Sequence, residues 1–214
     1  MITDWEARRQ IVATGKQLYL QGLVASKDGN VSVRIKTDKV IITPSNYSLA
    51  TLSDSHMAHV DLDGNPLDSN RKPSSELPMH LEVYRQRPDV FAVIHAHPPY
   101  TTAFTLAGQN FSTPVLPEVL IMFGEIPLAP YATPATQESA EAISELIRSY
   151  DIIVLDHHGA LTVGKTLKDA YCRMEKLEHV AKTLFIARQL GELKPLSDDA
   201  LKKIAEFRKK YFST

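Results

Sequence analysis

Apolar residues recur along this chain with two periods, and the switches between them outline a series of elements. Trp5, Ile11, Val12, Leu18 and Leu23 fall at roughly helical intervals after Thr3 and Glu6, whose spacing suits a capping box. An amphipathic first helix ending near Gly22 is expected. The period then shortens. The β-branched runs VSVRI (31–35) and VIITP (40–44), joined by polar residues 36–39, predict a hairpin. Residues 56–63 fit a third strand closed by the turn Asp63-Gly64-Asn65, with the polar segment 68–72 after it. A helix fits 75–87, where Pro78 is tolerated because it lies in the first turn.

FAVIHAH (91–97) has the continuous apolar character of a buried strand and stops at Pro98-Pro99. Residues 151–157 form a second such run, stopped by Gly159. Both therefore end in histidines. Between them lie a proline-spaced segment, 113–134, and a helix over 136–150. Thr166 and Asp169 can cap a long helix reaching Gln189, and a last helix begins near Ser197. With no internal repeat and no linker, the pattern predicts a single domain, 1–214. Its class is α/β: a three-layer α/β/α sandwich around a mixed, mainly antiparallel sheet.

Composition narrows the functional classes. The 214 residues are 43% hydrophobic and 23% charged, ordinary values for a globular chain. The 24 basic and 25 acidic side chains nearly cancel and are interspersed, which leaves no footprint for nucleic acid or for an anionic membrane surface. Neither a signal-type start nor an apolar run long enough to span a bilayer is present, so a cytoplasmic location is expected. A single cysteine, Cys172, excludes an internal disulfide and a thiolate-rich zinc site. Any metal centre must use the eight histidines and carboxylates.

His95 and His97, two apart on a strand, leave the same face and can converge on one ion. His157 and His158 are adjacent, so as strand residues only one of them should join such a site, and spacing does not choose between them. Glu76 offers a carboxylate at a helix N-terminus after Ser74 and Ser75, and His80 lies one turn further on. His56, His59 and His179 have no partner at chelating spacing. Gly29-Asn30, Thr43-Pro44-Ser45 and Ser74-Ser75 are small-residue turns whose hydroxyl, amide and N–H donors suit a phosphate ester. The chain has no Walker-type loop for a nucleotide.

In order, GNVSVRI, IITPS, SSELPMH, VIHAHPP, PLAPYATP and LDHHGALTVG resemble the class II aldolase family, which includes fuculose-phosphate and rhamnulose-phosphate aldolases, ribulose-phosphate 4-epimerase and the adducin head. The resemblance spans about residues 5–190 and is closest to the ketose 1-phosphate aldolases. It implies one divalent ion per subunit on Glu76, His95, His97 and His158; zinc suits that set, and manganese, cobalt or iron could occupy it. It also implies substrate phosphate near Gly29, Asn30, Ser45, Asn46, Ser74 and Ser75, a homotetramer with sites between subunits, and Glu76 as the catalytic base.

Two positions depart from the family pattern. Asn46 replaces a glycine, which asparagine's tolerance of left-handed angles permits. Glu118 aligns with the tyrosine that serves fuculose-phosphate aldolase as proton donor, so Glu118, Tyr131 or Tyr211 must take that role. The expected reaction is retro-aldol cleavage of a phosphorylated ketose to dihydroxyacetone phosphate and a small aldehyde, with the apolar segment 119–123 favouring a deoxy substrate. A ketose-phosphate dehydratase, a pentulose-phosphate 4-epimerase and a non-enzymatic adducin-like module are the alternatives on this scaffold.

Overall fold

The computed structural model describes residues 2–68 and 71–212. Its seven strands are β1 (Asn30–Lys36), β2 (Lys39–Ile42), β3 (Ala58–Val60), β4 (Ala92–Ala96), β5 (Leu128–Ala129), β6 (Ile152–Leu155) and β7 (Gly159–Gly164). They form one sheet in the order β3-β2-β1-β4-β7-β6-β5, antiparallel at every pairing except β5 with β6. Seven α-helices accompany it among the described residues: α1 (Asp4–Leu20), α2 (Leu77–Gln86), α3 (Pro99–Leu106), α4 (Pro117–Met122), α5 (Gln137–Ile147), α6 (Leu167–Leu190) and α7 (Asp198–Phe212).

Strand side chains alternate between faces, and the two faces bury separate cores. Val31, Val33 and Ile35 of β1 pack with Ile11 and Leu18 of α1, Phe104 of α3, and Met174 and Leu177 of α6. On the other face Val40 and Ile42 meet Met79 and Val83 of α2 and Ile143 and Ile147 of α5. This is the expected α/β/α layering around a mixed sheet. The two sequence-predicted capping boxes form: Thr3 with Glu6 opens α1, and Thr166 with Asp169 opens α6. Each cap contributes on the order of 1 kcal/mol.

The structure departs from the sequence reading in several places. The third strand is only Ala58–Val60, because Asp54–His56 closes a 3-10 turn before it and the Asp61 carboxylate accepts from Asp63 and Asn65 just after it. Positions 69 and 70 of the polar segment 68–72 lie outside the described residues. The run after Gly159 is itself a strand, β7, paired to both β4 and β6. Pro98-Pro99 does not end regular structure but opens α3, where proline's fixed φ is compatible with a first turn. The proline-spaced segment likewise contains α4 and β5.

His59, without a partner at chelating spacing, is structural: it is buried between the Asp4 and Asp68 carboxylates, with Arg8 beside it, and ties α1 to the sheet edge. Sequence spacing missed these partners because they come from distant parts of the chain.

Register positions the candidate chemistry. β1 against β4 sets Asn30 opposite His95, and β4 against β7 sets His95 opposite Leu161. The start of β1, the end of β4 and the start of β7 therefore share one end of the sheet.

Candidate metal centre

At that end Glu76, His95, His97 and His158 place one ligand-type atom each within 4.8 Å of all the others. His95 Nε2 stands 2.9 Å from His97 Nε2 and 3.1 Å from Glu76 Oε2, and His158 Nε2 stands 3.2 Å from Glu76 Oε1. Atoms bound about 2.0–2.2 Å from one ion, at angles between square and tetrahedral, are separated by about 2.8–3.6 Å. The donor set fits a divalent cation.

The lone pairs confirm the direction of convergence. His95 Nδ1 lies 3.0 Å from the Ala160 carbonyl, which can only accept, so Nδ1 carries the proton and Nε2 is left as a ligand. Glu76 Oε1 is the one buried side-chain polar atom among the described residues without a hydrogen bond. A buried carboxylate oxygen in that state is costly unless a cation or substrate group completes it.

Each member is held from behind. His95 ends the buried strand β4 and is fully enclosed. The His97 backbone N–H donates to the Leu23 carbonyl, anchoring the strand end to the loop after α1. Glu76 occupies the N-cap position of α2, which begins at Leu77 rather than at Ser75. His157 and His158 lie beyond β6, in the turn to β7, so strand alternation does not separate them as the sequence had suggested. Instead His157 adopts φ 56°, and its N–H donates to Thr105 Oγ1 of α3. That left-handed residue turns the two rings apart: His158 faces the cluster, while His157 is half-exposed against Asp156 and near the Tyr131 ring. Gly159 is required next, because a Cβ there would collide with the Ala96 carbonyl and press on the His97 ring.

Electrostatics match. Burial alone would raise the Glu76 carboxyl, but the neighbouring His95 and His158 rings and the hydrogen bond from Asn30 outweigh it and hold the group well below the carboxylate range. Burial, reinforced by the charges of His95 and His158, pushes His97 down to about 3. Near neutral pH the pocket thus presents an anion and an unprotonated imidazole, the forms that bind metal.

The expected phosphate residues are partly assembled. Pro44 and Pro73 form an isolated antiparallel bridge, and the Ser74 N–H donates to Thr43, so the turns carrying Ser45 and Ser74 lie side by side. Ser75 is exposed beside Glu76. Asn46 adopts φ 65°, the left-handed angle anticipated for it. Gly29 adopts φ 74°, and a Cβ there would crowd Val24 and the His95 carbonyl. Asn30 differs from expectation, because its side chain is engaged with Glu76 and His80 rather than open to a ligand.

The proton-donor candidates are not brought to the cluster within one chain. Glu118 is exposed on α4 and sits 3.5 Å from Lys176 Nζ, while the next residue, Val119, is buried. Tyr211 packs at a tilt against the Phe207 ring and lines a cleft with Arg87, Asp151 and Gly164, at the opposite end of the strands. Tyr131 is exposed beside His157.

Further residues support the site from behind. His80, which spacing had set one turn after Glu76, is buried behind it together with Ser32 and Tyr84, which spacing had not marked, and Glu178 accepts from Tyr100 N, Thr101 N and Thr101 Oγ1, capping α3 where Pro98 cannot. The strand-period polar positions Asn30, Ser32 and Arg34 were the available signal for the first group.

The family model described as class II aldolase and adducin N-terminal domain matches residues 9–185. The 3-oxo-tetronate 4-phosphate decarboxylase of Haemophilus influenzae is 31% identical over 207 residues, covering 95% of this chain and 98% of that one. The 5-deoxy-D-ribulose 1-phosphate aldolase of Bacillus thuringiensis serovar kurstaki is 31% identical over 201 residues, covering 93% of each. Among solved structures, an L-fuculose 1-phosphate aldolase superposes with a TM-score of 0.84 at 29% identity, covering 94% of this chain and 95% of that one.

Proposed function

Because the chain belongs to the class II aldolase and adducin N-terminal domain family, we propose that it is a divalent-metal-dependent aldolase that cleaves a short, deoxy ketose 1-phosphate to dihydroxyacetone phosphate and a small aldehyde. The observation that carries this reading is the convergence of Glu76, His95, His97 and His158 around a buried, uncompleted carboxylate oxygen. Zinc is the proposed ion, given three imidazoles and one carboxylate.

When bound, a divalent ion would supply Lewis acidity, stabilising the negative charge that develops on the ketose oxygens as the carbon–carbon bond breaks. The chain's own groups move the protons. The C4 hydroxyl loses its proton to a base as the C4 oxygen becomes the aldehyde carbonyl, the bonding pair passes to C3, and Glu76 relays a proton taken from solvent to C3 to complete dihydroxyacetone phosphate, while the base returns its proton to solvent. No co-reactant is needed. Gly29, Asn30, Ser45, Asn46, Ser74 and Ser75 are the proposed phosphate cradle, with Asn30 acting there through its backbone. Phosphate held at that distance orients the reacting bond.

The group that takes the C4 proton is assigned to a subunit boundary in a homotetramer. Glu118 is the first candidate, with Tyr131 and Tyr211 as the others; all three are exposed in the single chain.

A second reading is supported by the Haemophilus influenzae relative, which covers 95% of this chain. Decarboxylation of a 3-oxo sugar-acid phosphate would develop the same charge in the same pocket, with carbon dioxide as the leaving fragment and no C4 hydroxyl proton to remove.

The deciding assay offers metal-loaded protein 5-deoxyribulose 1-phosphate and 3-oxo-tetronate 4-phosphate in parallel, following dihydroxyacetone phosphate and carbon dioxide. Dihydroxyacetone phosphate from the ketose is expected, with Glu118→Gln slowing its release. Carbon dioxide together with dihydroxyacetone phosphate from the oxo acid, with no turnover of the ketose, would select the second reading, and turnover of neither would overturn both.

A further inference from the structure

Behind the carboxylate runs a buried file of polar side chains whose hydrogen-bond directions are fixed by elimination. The Glu76 carboxylate only accepts, so Asn30 Nδ2 donates to Glu76 Oε2 at 2.7 Å. Asn30 Oδ1 must then accept, and its partner at 2.5 Å is His80 Nε2, which therefore carries a proton. Enclosed completely by protein, the His80 imidazole is neutral and its Nδ1 holds a lone pair. Ser32 Oγ, 2.7 Å away, donates to that lone pair. With its only proton used, Ser32 accepts from the Tyr84 hydroxyl at 2.8 Å. Every donor in the file points toward Glu76.

The geometry follows from two periodicities. Asn30 and Ser32 are two apart on β1 and share the face toward α2, while His80 and Tyr84 are one turn apart on the α2 face toward β1. Such files are costly when broken, because each member is buried and a missing partner leaves an unpaired group.

We propose that Tyr84, Ser32 and His80 are positioning residues that act through Asn30 to lock the Glu76 carboxylate, holding Oε2 from behind so that Oε1 faces the ion and the substrate. This rests on the reading of Glu76 as ligand and base. It differs from a packing role in one respect: the consequence of a substitution should depend on whether a donor to Asn30 survives, and should fade with distance along the file.

The experiment is a chelator-competition titration of zinc on the full chain, with the thermal midpoint of the metal-free protein measured alongside. His80→Gln keeps an amide donor close to the Nε2 position and should bind zinc within about threefold of wild type, whereas His80→Leu should weaken binding about 10–100-fold. Ser32→Ala should fall between them, and Tyr84→Phe, which keeps the ring, should weaken binding least. Equal affinity in His80→Leu and His80→Gln, or losses that track the thermal midpoints instead of the order of the file, would overturn the proposal. If His80→Leu does not fold, the order of His80→Gln, Ser32→Ala and Tyr84→Phe decides it by the same criterion. Failure of the metal-site reading gives a separate result, since wild type itself would then bind no zinc.

Discussion

The two ends of the sheet carry similar numbers of polar groups but treat them in opposite ways. At the end where β4 starts and β7 finishes, charges are paired among themselves. Arg87 bonds Asp89 and Asp151, Arg173 bonds Asp151 and the Val163 carbonyl, and Arg34 donates to the carbonyls of Tyr84, Arg87, Pro88 and Val90. At the end where β4 finishes, three imidazoles and a carboxylate turn their lone pairs on one another, and a buried oxygen has no hydrogen bond. One end is complete as a folded chain, and the other presents a donor set that a divalent cation would complete. Such an uncompleted cluster, on a fold otherwise well satisfied, is the structural mark of a site.

The largest expected effect lies at the uncompleted end. Glu76→Gln removes the carboxylate proposed to exchange a proton at C3 while keeping its shape and a neutral oxygen. Proton exchange into dihydroxyacetone phosphate, followed by deuterium incorporation, should fall by roughly 10²–10⁴. Exchange at the wild-type rate would remove Glu76 as the base and with it the functional meaning of the contrast.

The opposite end should behave in the reverse manner. Arg87→Met breaks the pairs with Asp89 and Asp151 and should lower folding stability by about 1–3 kcal/mol in urea titrations. Zinc affinity should stay within about twofold, because none of the four cluster residues lies at that end. A change in affinity comparable to the change in stability would erase the distinction between the two ends.

How far the sequence carried this contrast differs between its halves. The His-x-His pair was legible because two ligands lie on one strand, where the period of two dictates their common face. The meeting of these three elements, α2, β4 and the His157-His158 turn, was legible only through resemblance, since Glu76 and His158 reach the cluster from separate elements. His158 was not separable from His157 by strand alternation, because the pair lies in a turn whose left-handed residue sets the ring directions. The strand after Gly159 was missed because GALTVG is short and follows a histidine turn that looked like a terminus. Glu118 and Tyr211 could not be placed by either route, since neither meets the cluster within one chain.

A smaller effect separates the buried file from both ends. Burial pushes the His80 imidazole down from 6.5 to about 3, and the His95 charge adds to the depression. The unfolded chain takes up this proton near pH 6.5, whereas the folded chain resists it until about pH 3. The folded state therefore loses stability as pH falls through that window and is unaffected above it. Between about pH 7 and pH 5 the loss from this one group should be about 1–2 kcal/mol, read as the difference between metal-free wild type and His80→Gln in urea titrations. Identical pH dependence in the two proteins would mean that His80 is not held neutral.

The central claim is that the uncompleted end is a metal centre built from His158 and not from its neighbour. Elemental analysis of purified protein, loaded with zinc and dialysed, tests it most directly. Wild type and His157→Ala should each retain about one ion per chain, with the affinity of His157→Ala within about tenfold of wild type, and His158→Ala should retain essentially none. No bound ion in the wild type, or equal loss from His157→Ala and His158→Ala, would contradict the account.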